Sequence, residues 1–119
     1  MSFVDGYLAA VPAANKDAYL ETARTAADLF LKHGALSVRE CWGEDVPDGN
    51  VTSFPKAVHL EEGEVVVFSW VEWPSREARD AAMPALHADM EANMGMEAMP
   101  FDGQRLMFGG FQTILFQSN

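Results

Sequence analysis

Apolar and polar positions alternate along residues 2–11, SFVDGYLAAV, with the two-residue period of a β-strand. One face of this predicted strand is apolar and mostly small: Val4, Gly6, Leu8 and Ala10. The other face consists of Phe3, Asp5, Tyr7 and Ala9. Because small side chains let a helix pack closely, we expect the first face to lie against helices and the second to point away from them.

Residues 16–33 follow a helical period instead. Their apolar positions recur every three or four residues: Tyr19, Ala23, Ala26 and Phe30. Asn15 is a residue type that caps helix N-termini, and Gly34 suits the position just after the last turn. We therefore predict one amphipathic helix over this range.

The segment ALSVRECWG, residues 35–43, alternates again and predicts a second strand. In a regular strand, Cys41 and Trp42 point to opposite sides of the sheet. The connection that follows, residues 43–63, is too long for a tight hairpin turn. Within it, Phe54, Ala57 and Val58 are expected to form a short helical turn or an added edge segment under the sheet.

The segment EVVVFSWVEW, residues 64–73, carries the strongest strand pattern, because valine and aromatic residues dominate it. Ser75 is placed to cap a second helix. Pro84 removes a hydrogen bond from the interior of that helix, so we expect a kink or a break near Met83. The helical region is predicted to end near Gly95.

Residues 105–117, RLMFGGFQTILFQ, predict the last strand, in which Gly109 and Gly110 indicate a bulge or the close approach of another backbone. The element order is therefore β-α-β-β-α-β. This order predicts an α+β, ferredoxin-like fold with a four-stranded antiparallel sheet. Right-handed crossovers place both helices on one face of the sheet.

The face without helices is predicted to be rich in aromatic side chains, among them Tyr7, Phe68 and Trp70. Such a surface would leave a large apolar patch in water on a lone subunit. We therefore predict that two sheets meet face to face in a symmetric homodimer, a dimeric α/β barrel with a β-lined space between the copies.

Composition narrows the possible partners. The 119 residues fit a single domain, residues 1–119. With 18 acidic residues against 8 lysines and arginines, the formal net charge of −10 repels nucleic acid and anionic lipid. The apolar runs are much shorter than the ~20 residues of a membrane span, so no membrane partner is expected.

The N-terminus lacks the pattern of a signal peptide, and Cys41 is the only cysteine, which excludes an intrachain disulfide. Both features predict a cytoplasmic protein. The three histidines lack metal-ligand spacing, so neither a metal site nor another cofactor is expected.

Two sets of residues are candidates for ligand binding. The first set is Arg39, Trp70 and Glu72, which would share the face between two sheets. There Arg39 and Glu72 would form either a polar floor in an aromatic cavity or a cross-strand salt bridge in the interface. Asp5 and Tyr7, two residues apart on the first strand, offer a general base and a phenolic donor, or else a solvated acid beside an interface tyrosine. No catalytic residue is assigned.

Four segments together resemble one known family: FVDGYLAAVP, ECWGEDVPDGNVTSF, VVFSWVEWPSREARDAA and MPFDGQRLMFGGFQ. They are similar to the YbaA-like family of small bacterial proteins, a domain of unknown function (DUF1428) within the dimeric α/β-barrel superfamily. The resemblance spans nearly the whole chain and implies the ferredoxin-like fold and a dimer. It implies no catalytic residue.

Two hypotheses for function follow. The first is a dimeric α/β barrel that binds a small molecule. As an enzyme, it would act on an apolar or aromatic compound by acid–base chemistry without a cofactor. The alternative is a noncatalytic homodimeric accessory or protein-interaction module.

Overall fold

A computed structural model of the chain describes residues 2–94 and 99–119. The strands are β1 (Phe3–Pro12), β2 (Ser37–Trp42), β3 (Glu64–Trp73) and β4 (Met107–Gln112), and the helices are α1 (Lys16–Lys32), α2 (Phe54–Ala57) and α3 (Arg76–Met94). Two short 3₁₀ turns, Ala13–Asn15 and Gly103–Arg105, precede α1 and β4. None of the helices in these described ranges has an apolar stretch long enough to cross a membrane.

The four strands form one antiparallel sheet in the order β2-β3-β1-β4. The α+β class and the four-stranded antiparallel sheet are therefore confirmed. The sheet is open in the single chain, with β2 and β4 as its edges. Cys41 lies opposite Phe68 and Trp42 opposite Val67, so the two neighbours occupy opposite faces, as predicted.

The predicted facing of β1 is wrong. Phe3 belongs to the core cluster that includes Leu29 of α1 and Leu86 of α3, and Tyr7 packs against the same cluster. The set Phe3, Asp5, Tyr7 and Ala9 therefore faces the helices. Val4, Gly6, Leu8 and Ala10 lie on the other face, opposite Glu72, Trp70, Phe68 and Val66 of β3. Both faces of β1 are largely apolar, so small size was a poor guide to which one meets the helices.

The predicted apolar stripe of α1 lies towards the sheet. Ala23 is buried, and Tyr19, Ala26 and Phe30 are at least partly buried. The Phe30 ring meets the ring of Trp73, which is fully buried, edge to face at a centroid distance of 6.2 Å. This packing places α1 and α3 over one face of the sheet.

The connection between β2 and β3 covers one end of the other face. Helix α2 forms where a short helical turn was predicted, and the Ser53 hydroxyl caps it by accepting from the Lys56 backbone N–H. Val58, directly after α2, is buried against Ala10 and Val66. The connection thus lies under part of the sheet and leaves the remainder of that face uncovered.

Helix α3 runs unbroken through Pro84, so of the two expected outcomes, a kink or a break near Met83, the break is wrong. Pro84 and Asp80 are exposed, which lets water hydrogen-bond the Asp80 carbonyl that lacks an N–H partner. Ser75 caps α3, as predicted, by accepting from the Ala78 N–H at 3.1 Å. The helix ends at Met94, and the predicted boundary residue Gly95 lies outside the described residues.

Only one of the two predicted caps of α1 forms as expected. Gly34 has φ +104°, the left-handed conformation expected after the last turn. Asn15 occupies the N-cap position, but its side chain makes no capping hydrogen bond. Its Nδ2 instead donates to the Pro100 carbonyl at 3.0 Å.

Strand β4 is shorter than the predicted range 105–117, because β1 offers partners only as far as the pair Phe3 and Gln112. Its register with β1 is regular through Gly109 and Gly110, so the expected bulge is absent from this ladder. A Cβ on Gly110 would stand 2.6 Å from the Phe3 ring. The glycine is therefore required by a side chain rather than by another backbone.

Candidate functional site

A cavity of about 550 Å³ lies between the sheet and helices α1 and α3. We call it the helix-side cavity. Its wall is mostly apolar and includes Ala23, Ala26, Phe30, Met83, Leu86 and Met90. Exposed residues on the lining, such as His87 and Phe108, show that the cavity opens to solvent. A site of this size and polarity suits a small organic molecule.

Asp5 is the most deeply buried acidic group on this wall, with 5 % of its surface exposed. Trp73 Nε1–H donates to Asp5 Oδ2 at 3.2 Å, and Arg79 Nη1 donates to Oδ1 at 3.2 Å. Burial raises the pKa of Asp5, while Arg79 and the Trp73 hydrogen bond oppose that rise. The result is an oriented carboxylate in an apolar setting.

Tyr7 lies two positions along β1 from Asp5 and lines the same cavity. Burial, together with the negative charge of Asp5, raises the pKa of Tyr7 to about 12. The phenol therefore stays protonated at neutral pH and can donate a hydrogen bond. Its ring stacks on Phe108 at a centroid distance of 6.4 Å.

Tyr19 and Glu40 form a second polar pair in the cavity. The Tyr19 hydroxyl donates to Glu40 Oε1 at 2.5 Å. Glu40 is solvent-accessible at the edge of the sheet, but its carboxyl group lies against Tyr19, and partial burial raises its pKa. Burial and this hydrogen bond also raise the pKa of the Tyr19 phenol.

The segment before β4 closes one side of the cavity. Phe101 and Leu106 line the cavity, and the Phe101 ring lies 5.7 Å from that of Tyr19. Two guanidinium nitrogens of Arg105 each donate to one carboxylate oxygen of Glu64 at 2.7 Å. This two-point contact ties the segment to the start of β3.

The uncovered part of the opposite face forms a second concavity of about 770 Å³, which we call the open face. Phe68 and Trp70 of β3 and Met107 and Phe111 of β4 line it. The guanidinium carbon of Arg39 lies 5.6 Å from the Trp70 ring centroid. This face is the aromatic surface predicted from the sequence, except that Tyr7 points to the helix side.

The five predicted ligand-binding residues are divided between these two surfaces. Asp5 and Tyr7 line the helix-side cavity, whereas Arg39, Trp70 and Glu72 lie on the open face. Within the described residues, Arg39 and Glu72 form no ion pair, and Glu72 accepts a long hydrogen bond of 3.5 Å from Ser2. The predicted polar floor is therefore not formed in the single chain.

Several polar residues of the helix-side cavity were not predicted, among them Tyr19, Glu40 and Arg79. Glu40 shares one face of β2 with Val38 and Trp42, and that two-residue spacing could have placed it on the helix side. For Arg79 the sequence carries no comparable signal, because its partner Asp5 is 74 residues away.

Neither surface provides a metal centre among residues 2–94 and 99–119, where the structure contains no cluster of three or more histidine, cysteine, aspartate or glutamate ligands. Cys41 is a free, partly exposed thiol on the open-face side of β2.

Comparison with known sequences identifies the family of this chain. The sequence profile of the family described as "Protein of unknown function (DUF1428)" matches residues 2–103. The chain belongs to this family. The uncharacterized protein YbaA of Escherichia coli strain K12 is 54 % identical over 115 residues, which cover 97 % of this chain and 98 % of that relative. Uncharacterized YbaA of Shigella flexneri shows the same identity and coverage. Membership in DUF1428 confirms the family expected from the sequence and assigns no reaction to any residue.

Proposed function

We propose that this protein binds a small apolar or aromatic molecule in the helix-side cavity and that Asp5 and Tyr7 perform cofactor-independent acid–base chemistry on it. The observation that carries this proposal is a buried, oriented carboxylate beside a protonated phenol on the wall of a mostly apolar cavity. Acids with raised pKa values in apolar clefts are typical of general bases.

In the proposed reaction Asp5 takes a proton from the ligand. Burial raises the pKa of this carboxyl and so makes it a stronger base, while Arg79 and Trp73 keep it ionised and fixed in orientation. Tyr7 donates a hydrogen bond to a ligand oxygen on which negative charge develops. Neither role needs a metal or an organic cofactor.

The base can be tested without the natural ligand by using 5-nitrobenzisoxazole, a neutral, flat aromatic compound. A base removes its ring C–H proton, the N–O bond breaks, and the electron pair ends on the phenolate oxygen of a coloured product. We expect the protein to accelerate this ring opening and Asp5→Asn to reduce the acceleration by about 100-fold or more, as loss of a general base does. Glu40→Gln, which removes the other carboxylate of the cavity, is the matched control and should retain most of the rate.

Circular dichroism of both variants verifies that they remain folded. Equal rates for Asp5→Asn and the unmodified protein would refute the role of Asp5 as base. Loss of the rate in Glu40→Gln alone would move that role to Glu40.

We further propose that the chain is one ferredoxin-like domain and that two copies pair through their open faces as a dimeric α/β barrel. Phe68, Met107 and Phe111 are exposed on this face, with Phe111 at 62 %. Beyond β4, Leu115 and Phe116 extend this apolar surface and are also exposed. A second copy that supplies the same surface would remove these side chains from water.

Sedimentation velocity at micromolar concentration tests the pairing. We expect a dimer for the unmodified protein and a monomer for Phe111→Asp, because a charge would be buried without a partner. Leu31→Asp places the same charge on an exposed leucine of α1, on the helix side, and should leave the dimer intact. A monomeric unmodified protein, or dimers in both variants, would contradict the proposed interface.

The alternative is a noncatalytic homodimeric interaction module, in which the protein's own side chains would fill the space between the two sheets. The helix-side cavity, about 550 Å³, supports ligand binding over that alternative.

A further inference from the structure

We propose that the helix-side cavity accepts neutral or cationic ligands and rejects anions, including carboxylates, sulfonates and phosphate esters. This inference rests on the proposed ligand-binding function and specifies the class of ligand. It follows from the charges on the cavity wall and from the partners that each charge already has.

The negative charges belong to Asp5 and Glu40, which lie on two different strands of the cavity wall. Asp5 is almost completely buried, so water screens its charge poorly. Tyr7 and Tyr19 add hydrogen-bond donors but no charge, because the raised pKa values of both phenols keep them protonated at neutral pH.

Only one lysine or arginine lies among the described residues that line the cavity, and its charge is already paired. Arg79 donates to Asp5 and also places its Nε 2.9 Å from a carboxylate oxygen of Asp80. Its guanidinium further covers the ring of Phe3, 4.8 Å from the centroid. Little positive potential therefore remains for a ligand anion.

The three lysines of the chain lie away from the cavity lining. Lys16 lies over the ring of Trp42, Lys32 pairs with Asp89 at 2.8 Å, and Lys56 donates to a backbone carbonyl in the β2–β3 connection. An anion entering the cavity would lose water and meet two carboxylates, of which only Asp5 is offset by a guanidinium. No lysine or arginine on the described lining is left to pair with the anion, and the imidazole of His87 lies on the exposed part of the lining. Such like-charge contacts are costly in a site of low dielectric.

Two fluorescent probes that differ by one charged group test this selectivity. N-phenyl-1-naphthylamine is neutral, and 8-anilino-1-naphthalenesulfonate has the same ring system with an added sulfonate. In fluorescence titrations at neutral pH and low salt, we expect the neutral probe to bind at least about tenfold more tightly. Glu40→Gln removes one negative charge from the wall and should reduce this ratio.

Matched substitutions locate the bound probe. Ala26→Leu fills the cavity from α1, whereas Ala81→Leu adds the same atoms at an exposed position of α3. We expect the first to weaken binding of the neutral probe and the second to leave it unchanged. Ala26→Val adds less volume and replaces Ala26→Leu if circular dichroism shows that the leucine variant does not fold.

Tight binding of the neutral probe alone, sensitive to Ala26→Leu and with a smaller probe ratio in Glu40→Gln, supports the inference. Equal affinities for both probes, each weakened by Ala26→Leu, overturn the charge selectivity but leave the ligand-binding function standing. Binding that is absent, or unaffected by filling the cavity, overturns the ligand-binding function and the selectivity with it.

Discussion

The contribution of Trp73 to holding the proposed base, Asp5, can be measured as a coupling free energy between the two residues. Trp73 is fully buried and Asp5 is 5 % exposed, and Nε1 lies 3.2 Å from Oδ2. Trp73→Phe removes the donor, and Asp5→Ala removes the acceptor. Because hydrogen bonds to charged groups contribute about 1.5–3 kcal/mol, we expect a coupling free energy of that size between the two substitutions at neutral pH.

Urea denaturation followed by far-ultraviolet circular dichroism supplies the four free energies of unfolding, since tryptophan fluorescence changes with the substitution itself. The control cycle combines Trp73→Phe with Val58→Ala. Val58 is equally buried but belongs to a separate core cluster on the other face of the sheet. Its effect should add to that of Trp73→Phe within about 0.5 kcal/mol.

The pH dependence of the first cycle provides a second test. The folded-state pKa of Asp5 lies above its ordinary value, so its contribution to stability is greatest below the unfolded-state pKa and is lost as the pH rises through the folded-state pKa. The coupling to Trp73 has the opposite trend, because a protonated carboxyl is a weaker acceptor. Additive effects at neutral pH would refute the proposal that Trp73 orients the Asp5 carboxylate.

Two further predictions concern stability. Gly110→Ala should destabilise the protein by about 1–3 kcal/mol, because the new Cβ would stand 2.6 Å from the Phe3 ring, whereas Gly103→Ala meets nothing within 4 Å and should have little effect in the same thermal melts. The hydrogen bond from Arg105 holds the pKa of Glu64 below its usual range. The contact therefore stabilises the folded protein at pH values above the unfolded-state pKa of Glu64. This stabilisation is lost as the pH falls through the folded-state pKa. Glu64→Gln should therefore destabilise at neutral pH by an amount that shrinks below about pH 4, and a constant difference in urea melts across that range would contradict the pairing.

The order of elements was predictable because each element carries its own periodicity. The β pattern of residues 64–73, the helical stripe of Tyr19 and Phe30, and the cap at Ser75 are local signals, and the structure bears out each of them. The end of β4, by contrast, is not determined by a local signal. It depends on where β1 runs out of partners, at Phe3.

The facing of β1 was unpredictable for a related reason. Asp5 is a charged residue, and burial of a charge is unfavourable unless other groups satisfy it. Its partners Trp73 and Arg79 lie 68 and 74 residues away and approach only in the folded chain. The contacts of Asp5 with Trp73 and Arg79 also define the candidate site. They explain both why the predicted facing of β1 was wrong and why Asp5 and Tyr7 lie on the opposite face from Trp70.

Tyr7 and Phe108 lie where the two candidate surfaces meet. Both residues border the helix-side cavity and the open face, and their rings stack. Phe108 is 76 % exposed in the single chain. A second copy seated on the open face would bury part of this ring, restrict its rotamers and thereby limit the motion of the Tyr7 phenol beside it. The proposed dimer and the proposed ligand site therefore share a boundary, so a partner that covered the open face would also help to preorganise the hydrogen-bond donor of the cavity.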